Sequence, residues 1–300
     1  MDSQFNYSII IPHKNSLELL KKCVNSIPKR DDIQIIIIDD NSDSNNSNFN
    51  NFSDFANLIL INLHGSKGAG AARNKGLNTA SGKWIIFADA DDIFINGFIE
   101  HIDKYKDSSY DLIYFGITRQ GNNNEKKKNL YKEYDFLIRK ALYKNKHDAY
   151  KYKAFFPWGK MIRHSLIKDN NITFDETIVA NDIMFSVKTA YYSKNTFFDI
   201  NKIYTYLAQN SQLTRIKSKE SDFIRFCVYV NLNCFLKNIN MYKYKKDLIL
   251  PLKNLIEYKN MDYYYKAIKY VKESNINLFL ELGTFLLLLP FKIINKLCRN

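Results

Sequence analysis

Three carboxylates fall within four residues at Asp89-Ala90-Asp91-Asp92, directly after the apolar run Trp84–Ala88. At neutral pH such a cluster repels itself unless water or a divalent cation takes up the charge. Mg2+ and Mn2+ prefer oxygen ligands and commonly use one or two protein carboxylates, leaving their other positions to substrate phosphates. The cluster therefore reads either as a solvated acidic turn before a helix at Ile93 or as a site whose metal bridges a diphosphate and stabilises a departing nucleotide. Its position after an apolar strand favours the second reading.

Similar polar segments follow three other apolar runs. Pro12-His13-Lys14-Asn15 follows Tyr7–Ile11, and Asp39-Asp40-Asn41-Ser42 follows Ile33–Ile38. A carboxylate at the latter place can accept from a base N–H or a ribose hydroxyl. After Leu58–Leu63 comes Gly65-Ser66-Lys67-Gly68-Ala69-Gly70-Ala71-Ala72-Arg73-Asn74. This stretch lacks the Lys-Ser/Thr pair of a Walker loop. It also lacks the dinucleotide fingerprint, because the sixth position counted from Gly68 is Arg73. It does offer Gly68 and Gly70 at a helix N-terminus and Arg73 one turn in, where amides and a guanidinium can meet a diphosphate. The plainer alternative is a turn before a helix.

The elements that must position these groups alternate in type. Tyr7–Ile11, the β-branched run Ile33–Ile38, Leu58–Leu63 and Trp84–Ala88 read as strands, and Leu112–Ile117 adds another. Leu17–Ile27 and Gly70–Ala80 read as helices, the second closed by Ser81-Gly82. Proline at position 12 is expected to stop the first strand. The order predicts an α/β fold with a mainly parallel, Rossmann-like sheet flanked by helices. Such sheets bind ligands at the carboxyl ends of their strands, where strand order reverses. Asn41–Asn57 reads as a loop or frayed helix and Asn122–Lys128 as a polar, solvated loop. Past Arg215, Glu220–Leu236, Tyr244–Tyr258 and Tyr263–Lys272 read as helices rich in Tyr and Lys.

In order and spacing, these segments resemble the family 2 inverting glycosyltransferases of the GT-A fold. The matching text is Ile9-Ile10-Ile11-Pro12 with Asn15, Ile37-Ile38-Asp39-Asp40-Asn41-Ser42, Gly68 to Leu77, and Trp84 to Asp92. The change of pattern past Arg215 makes 216–300 a helical extension outside the resemblance, which covers the first two hundred residues and implies a catalytic domain over 1–215. It implies a nucleotide pocket lined by Pro12, His13 and Asn15, with Asp39 at the base and Asp40 beside it. Gly68 and Arg73 would approach the phosphates, Asp89 and Ala90 the ribose side, and Asp91 the Mn2+ or Mg2+ ion. His13 and Lys14 depart from the Thr-Tyr common in the family. Inversion is a direct displacement, so a carboxylate must take the acceptor proton. In the family an acidic pair at a helix start does this, after a Trp-containing acceptor segment. Here Trp158 and Asn181-Asp182 stand at those places, Asp182 as the base and Asn181 replacing the first acid. Asp182 as a helix-end charge and Trp158 as core are the structural alternatives. Tyr204-Thr205-Tyr206 and Ser211 to Thr214 loosely echo a segment that closes over the diphosphate, although Gln209 stands near where arginine is common.

The chain of 300 residues carries a formal charge of +13 with 46% hydrophobic residues, a globular composition that asks for an anionic partner. The polar start Met1–Tyr7 does not read as a signal peptide. Cys23, Cys227, Cys234 and Cys298 lack metal-ligand spacing, and Cys227 and Cys234, seven apart on one helix face, read as two buried thiols of a reducing cytoplasm. Leu278–Phe291 is nearly all apolar and is followed by Lys292, Lys296 and Arg299. The pattern suits an interfacial helix over 276–299 on anionic lipid, or a helix packed on its own domain. The resulting expectation is an enzyme that moves a sugar from a nucleotide-diphosphate donor, UDP-linked in the commonest case, to a glycan or glycolipid of the bacterial surface. It would sit in the cytoplasm, peripheral on the inner face of the inner membrane. A homo-oligomer is compatible with the sequence. The competing readings are a non-catalytic nucleotide-sugar-binding protein, supported by Asn181, and a basic nucleic-acid-binding module. The acidic strand ends argue against nucleic acid in the main cleft.

Overall fold

The computed structural model describes residues 5–46, 52–121, 125–208, 218–257 and 261–274. The expected interfacial helix at 276–299, Cys298, Gln209 and the Ser211–Thr214 segment lie outside the described residues. The chain divides into two compact units, Met1–Gln212 and Leu213–Asn300.

The first unit is built on one eight-stranded sheet: β1 (Phe5–His13), β2 (Ile33–Asp39), β3 (Leu58–Asn62), β4 (Gly82–Phe87), β5 (Ile93–Phe94), β6 (Leu112–Gly121), β7 (Lys160–Arg163) and β8 (Thr196–Ala208). Their spatial order is β3-β2-β1-β4-β7-β6-β8-β5. β1 pairs in parallel with β2 and β4, and β2 with β3, so the sequence-predicted strands form one parallel half. β7 runs antiparallel between β4 and β6, β6 and β8 are parallel, and β5 closes the edge antiparallel to β8. Every residue of β2 is buried, which explains its unbroken Ile-rich text. The core joins Ile9–Ile11, Ile35–Ile38 and Trp84–Phe87 to Leu112–Phe115.

Strand order reverses at β1: the chain goes outward to β2 and β3, then returns to β4 on the other side. The crevice where β1 and β4 part is the general ligand position of such sheets. Helices α1 (Leu17–Asn25) and α2 (Gly68–Thr79) follow β1 and β3. Then come α3 (Phe98–Asp103), α4 (Glu125–Lys144), α5 (Asp148–Lys151), α6 (His164–Asp169) and α7 (Ile183–Tyr192).

Pro12 does not end its strand, which runs one residue further to His13. The β4 pairing has already stopped at Ile10↔Phe87, so the missing N–H leaves no ladder position empty on that side. The expected loop at 122–128 is corrected from Glu125 onward, where α4 begins. Its Glu and Lys are good helix formers, and their charge does not require a loop.

The second unit contains α8 (Lys219–Asn238), α9 (Ile249–Glu257) and α10 (Met261–Glu273) around Phe226, Val230, Leu252, Leu255, Tyr264 and Ile268. A reciprocal Ser218/Ser221 capping box starts α8. The single helix expected over 244–258 is instead a 3-10 turn at Tyr242–Tyr244 followed by α9. Pro251 is tolerated only in a helix's first turn, which fixes α9's start near Ile249. The Asp247 side chain accepts from the Ile249 N–H at 2.9 Å. Among the described residues, no helix is long and apolar enough to cross a membrane.

Candidate active site

The carboxyl ends of β1 and β2 are tied together by side chains that follow them. His13 is 2% exposed, with Nε2 3.2 Å from the Asn46 carbonyl and 3.8 Å from the Asp39 carboxylate. Burial lowers its pKa. Asp39 accepts from the N–H and hydroxyl of Ser42. The Ser42 hydroxyl in turn accepts from the Asn15 N–H at 2.8 Å, and the Asn15 side chain accepts from the Asp43 N–H at 2.8 Å. Asn15 has φ 49°, the left-handed region that asparagine tolerates. Asn15 and Asp39, hydrogen-bonded through Ser42, thus form one wall with His13 standing against it, and Pro12 is half-buried beside it.

Asp40 and the glycine segment meet in a different way from the sequence expectation. The Asp40 carboxylate, 4% exposed, accepts from the Lys67 N–H at 2.6 Å, the Gly68 N–H at 3.0 Å and the Ser66 hydroxyl at 3.0 Å. It fills the positive N-terminus of α2, and Lys14 stands 3.9 Å away. The Gly68 amide, expected at a diphosphate, is therefore given to Asp40.

Gly70 has its own purpose. A Cβ at that position would lie 2.1 Å from the Asp175 carbonyl oxygen and 3.1 Å from the Asn181 Cβ. The segment Phe174–Asn181 lies directly on α2, and Asn74 clamps it by exchanging hydrogen bonds with the Phe174 backbone at 2.8 and 3.0 Å. The glycine-rich text is thus a docking face for the loop that ends in Asp182.

Arg73 joins the two halves of the site. It is 6% exposed; one guanidinium nitrogen donates to Asp89 at 2.6 Å and another to the Asn181 side chain at 2.9 Å. The Phe174 ring lies 5.3 Å from the guanidinium. Asn181, which stands where the resemblance expects an acid, is a neutral acceptor for this arginine. The guanidinium expected at the phosphates is committed to Asp89, while its buried Nε has no partner.

Asp89, Asp91 and Asp92 bring carboxylate oxygens within 4.8 Å of one another. They differ in environment. Asp92 is 1% exposed and accepts from the Tyr204 hydroxyl at 2.9 Å and the Leu207 N–H at 2.8 Å. Burial, then the charges of Asp89 and Asp91, push its carboxyl up to about 9. The Tyr204 hydroxyl also accepts from the Asp89 N–H at 2.8 Å. Asp92 therefore pins the acidic turn to β8, and Asp89 and Asp91 remain partly exposed around the small, buried Ala90. An all-oxygen donor set with surplus negative charge fits Mn2+ or Mg2+.

Trp158 is 6% exposed, so most of it is core. It stacks on Phe156 with centroids 4.1 Å apart and on Tyr204 at 5.1 Å. The aromatic wall thus leads back to the tyrosine that holds the acidic turn. Asp182 is the N-cap residue of α7, yet its side chain makes no capping hydrogen bond. Helix-end capping therefore does not account for it. Burial raises its pKa, against the opposing charge of Arg73. Ala180, at φ 57°, holds a left-handed turn two residues before it. For a residue with a Cβ this conformation costs about 1–2 kcal/mol. Sequence reasoning missed three participants: Asp92 as the pin, Tyr204 as its partner and Lys160 as a buried neighbour of Asp182. For Tyr204, the loosely matched Tyr204-Thr205-Tyr206 was the available signal.

The parallel half-sheet, its crevice and the acidic turn define an α/β protein of the GT-A type. Residues 8–170 match glycosyl transferase family 2, and the chain belongs to that family. A β-1,3-glucosyltransferase of Campylobacter jejuni acting on GalNAc(5)-diNAcBac-PP-undecaprenol is 27% identical over 97% of this chain and 96% of its own. Against three longer relatives the chain spans only 31–33% of their length. Two solved structures share the fold. Staphylococcus aureus TarS 1–349 with UDP-GlcNAc has a TM-score of 0.63 at 18% identity over 97% of this chain and 83% of that one. The mannosyltransferase PcManGT of Pyrobaculum calidifontis, with GDP-Man and Mn2+, has 0.57 at 14% over 98% and 84%.

Proposed function

We propose that this family 2 glycosyltransferase works by inversion, moving a sugar from a UDP-linked donor to a hydroxyl of a surface glycan or glycolipid. The observation that carries the reading is the Arg73 bridge. One buried guanidinium holds both the acidic turn, through Asp89, and the segment that delivers Asp182, through Asn181. Two carboxylate sites are thereby fixed relative to each other, one for the leaving group and one for the nucleophile.

In this reading Asp182 accepts the proton of the acceptor hydroxyl as its oxygen bonds to the anomeric carbon. The bond from that carbon to the diphosphate oxygen breaks with its electron pair, and the nucleoside diphosphate leaves. Asp91, with Asp89, would hold a divalent cation that neutralises charge on the diphosphate. The wall of His13, Asn15 and Asp39 receives the nucleoside, and the Trp158 stack borders the acceptor. Asp40 and Asp92 keep structural tasks. The UDP-GlcNAc complex of TarS supports the donor class, and the undecaprenol-linked substrate of the Campylobacter relative supports the acceptor class. The apolar stretch 278–291 with Lys292, Lys296 and Arg299 supports a peripheral position on the inner face of the bacterial membrane. Two compact units support a catalytic part and a helical extension.

A panel of nucleotide sugars with Mn2+ or Mg2+, with and without extracted glycolipid, tests the proposal through release of nucleoside diphosphate. Release that needs both metal and acceptor is expected. Donor binding with only slow hydrolysis across the whole panel would favour the non-catalytic reading instead.

A further inference from the structure

Lys160 opens β7, two residues after Trp158, and is 1% exposed. A lysine is almost never buried this completely without a purpose for its charge. Its Nζ donates to the Ala154 carbonyl at 3.1 Å and to the Ser186 hydroxyl at 3.2 Å, both neutral. The rings of Tyr114 and Phe156 each lie 5.4 Å from it. The Ser186 hydroxyl donates on to the Phe155 and Phe156 carbonyls. Ser186 sits one helical turn after Asp182, and its N–H donates to the Asp182 carbonyl at 3.0 Å.

These contacts join three pieces: the strand that follows Trp158, the Ala154–Phe156 segment that carries the aromatic wall, and the first turn of α7. The groups whose charge acts on Asp182 come from each surrounding element. They are Arg73 on α2, Asp89 after β4 and Lys160 on β7, and the Tyr134 phenol on α4 feels Asp182 in return. Arg73, though paired with Asp89, is the larger of the two positive charges that favour an ionised Asp182, and Lys160 adds to it with the same sign. The charge of Lys160 meets only neutral oxygens and rings at close range, so its field remains available to the Asp182 carboxylate.

We propose that Lys160 is a positioning residue of the transfer reaction: it locks the aromatic acceptor wall to the helix carrying Asp182 and lends that carboxylate its positive charge. The inference rests on Asp182 being the proton acceptor. Burial brings the Lys160 amine down to about 7, and Asp182 is the charge that opposes this fall. In its protonated form Lys160 favours the ionised base, in the same direction as Arg73. Removing its charge raises the pH at which Asp182 ionises, so the acid limb of activity moves upward.

The test is the pH dependence of kcat/KM for the acceptor at saturating donor, in the wild type and in Lys160→Met, Lys160→Arg and Ser186→Ala. Lys160→Met is expected to move the acid limb up by about one pH unit, from a charge lost in a partly buried site. Lys160→Arg should restore the limb. Ser186→Ala should raise the acceptor KM several-fold with the limb unmoved. A limb unchanged in Lys160→Met overturns the inference, because a merely structural peg moves stability without moving the limb. If Lys160→Met does not fold, Asp182→Asn gives the reciprocal measurement. The Lys160 titration, read from its side-chain 13C NMR shift, must then fall by a comparable amount, and an unmoved titration is equally fatal. Normal turnover by Asp182→Asn would instead remove the base assignment. An inactive Asp182→Asn with an unmoved limb in Lys160→Met removes only the role given to Lys160.

Discussion

Gly70→Ala is the sharpest perturbation of the proposed architecture. In an ordinary helix the change would stabilise by about 1 kcal/mol, from helix propensity. Here the added methyl would stand 2.1 Å from the Asp175 carbonyl oxygen and 3.1 Å from the Asn181 Cβ. The first neighbour is backbone, so the whole Phe174–Asn181 segment must move by about an ångström to restore van der Waals contact. Overpacking of this kind costs roughly 1–3 kcal/mol. Set against the propensity gain, the net loss is about 0–2 kcal/mol, or a fall in Tm of up to roughly 6 °C for a unit of this size. The effect on transfer should be larger. The displaced segment carries Asn181 away from Arg73 and Asp182 away from the acceptor, and a misplacement of about 1 Å can cost on the order of 100-fold. Calorimetric titration of nucleoside diphosphate with Mn2+, beside steady-state transfer and thermal unfolding, separates these outcomes. Near-normal diphosphate affinity with transfer reduced about 100-fold is expected. Transfer within twofold of wild type and an unchanged Tm would refute the docking role given to Gly70.

Arg73→Met strips a guanidinium from Asp89 and Asn181 together. Asp89 keeps some solvent, so the loss of stability should be about 2 kcal/mol, below the full figure for a buried pair, with transfer down by more than tenfold; intact transfer kinetics would remove Arg73 as the bridge. Tyr204→Phe leaves the Asp92 carboxyl and the Asp89 N–H each short of a partner, a cost of about 1–3 kcal/mol. It should also weaken Mn2+ binding, and unchanged thermal unfolding and metal affinity would contradict the pin. Asp40→Ala uncaps α2 and should cost about 1–2 kcal/mol by chemical denaturation. Its diphosphate affinity should stay close to wild type, since Asp40 is assigned to the helix and not to the ligand, and a large loss of affinity would reverse that assignment.

The parallel half of the sheet was legible because its information is local. Ile33–Ile38 and Trp84–Ala88 are unbroken apolar runs, and each ends in a polar segment that the fold gathers at one edge. The antiparallel strand β7 was not legible. It has four residues, pairs only two positions with β4, and owes its conformation to neighbours distant in sequence. The candidate residues at the strand ends were singled out by type and spacing, Asp182, Asn181 and Trp158 came from the family resemblance, and the partners of all of them were not legible. Asp40 beside Asp39 looks like a second ligand-binding acid until Lys67 and Gly68 are brought to it. Arg73 looks like a phosphate contact until Asn181, 108 positions away, accepts from it. Tyr204 and Asp92 meet across 112 positions, which no local pattern encodes. Lys160 lies in an apolar stretch and looks like a strand-end charge; only the packed structure shows it buried beside the start of α7.

The decisive measurement is transfer by Asp182→Asn, an isosteric change that removes the proton acceptor and leaves the acidic turn intact. Loss of a general base predicts a fall of at least about 100-fold in kcat, with affinity for the nucleoside diphosphate and Mn2+ unchanged within about twofold. Wild-type kcat in that variant, or a donor affinity that collapses along with transfer, would contradict the division of labour between Asp182 and the aspartates at 89 and 91.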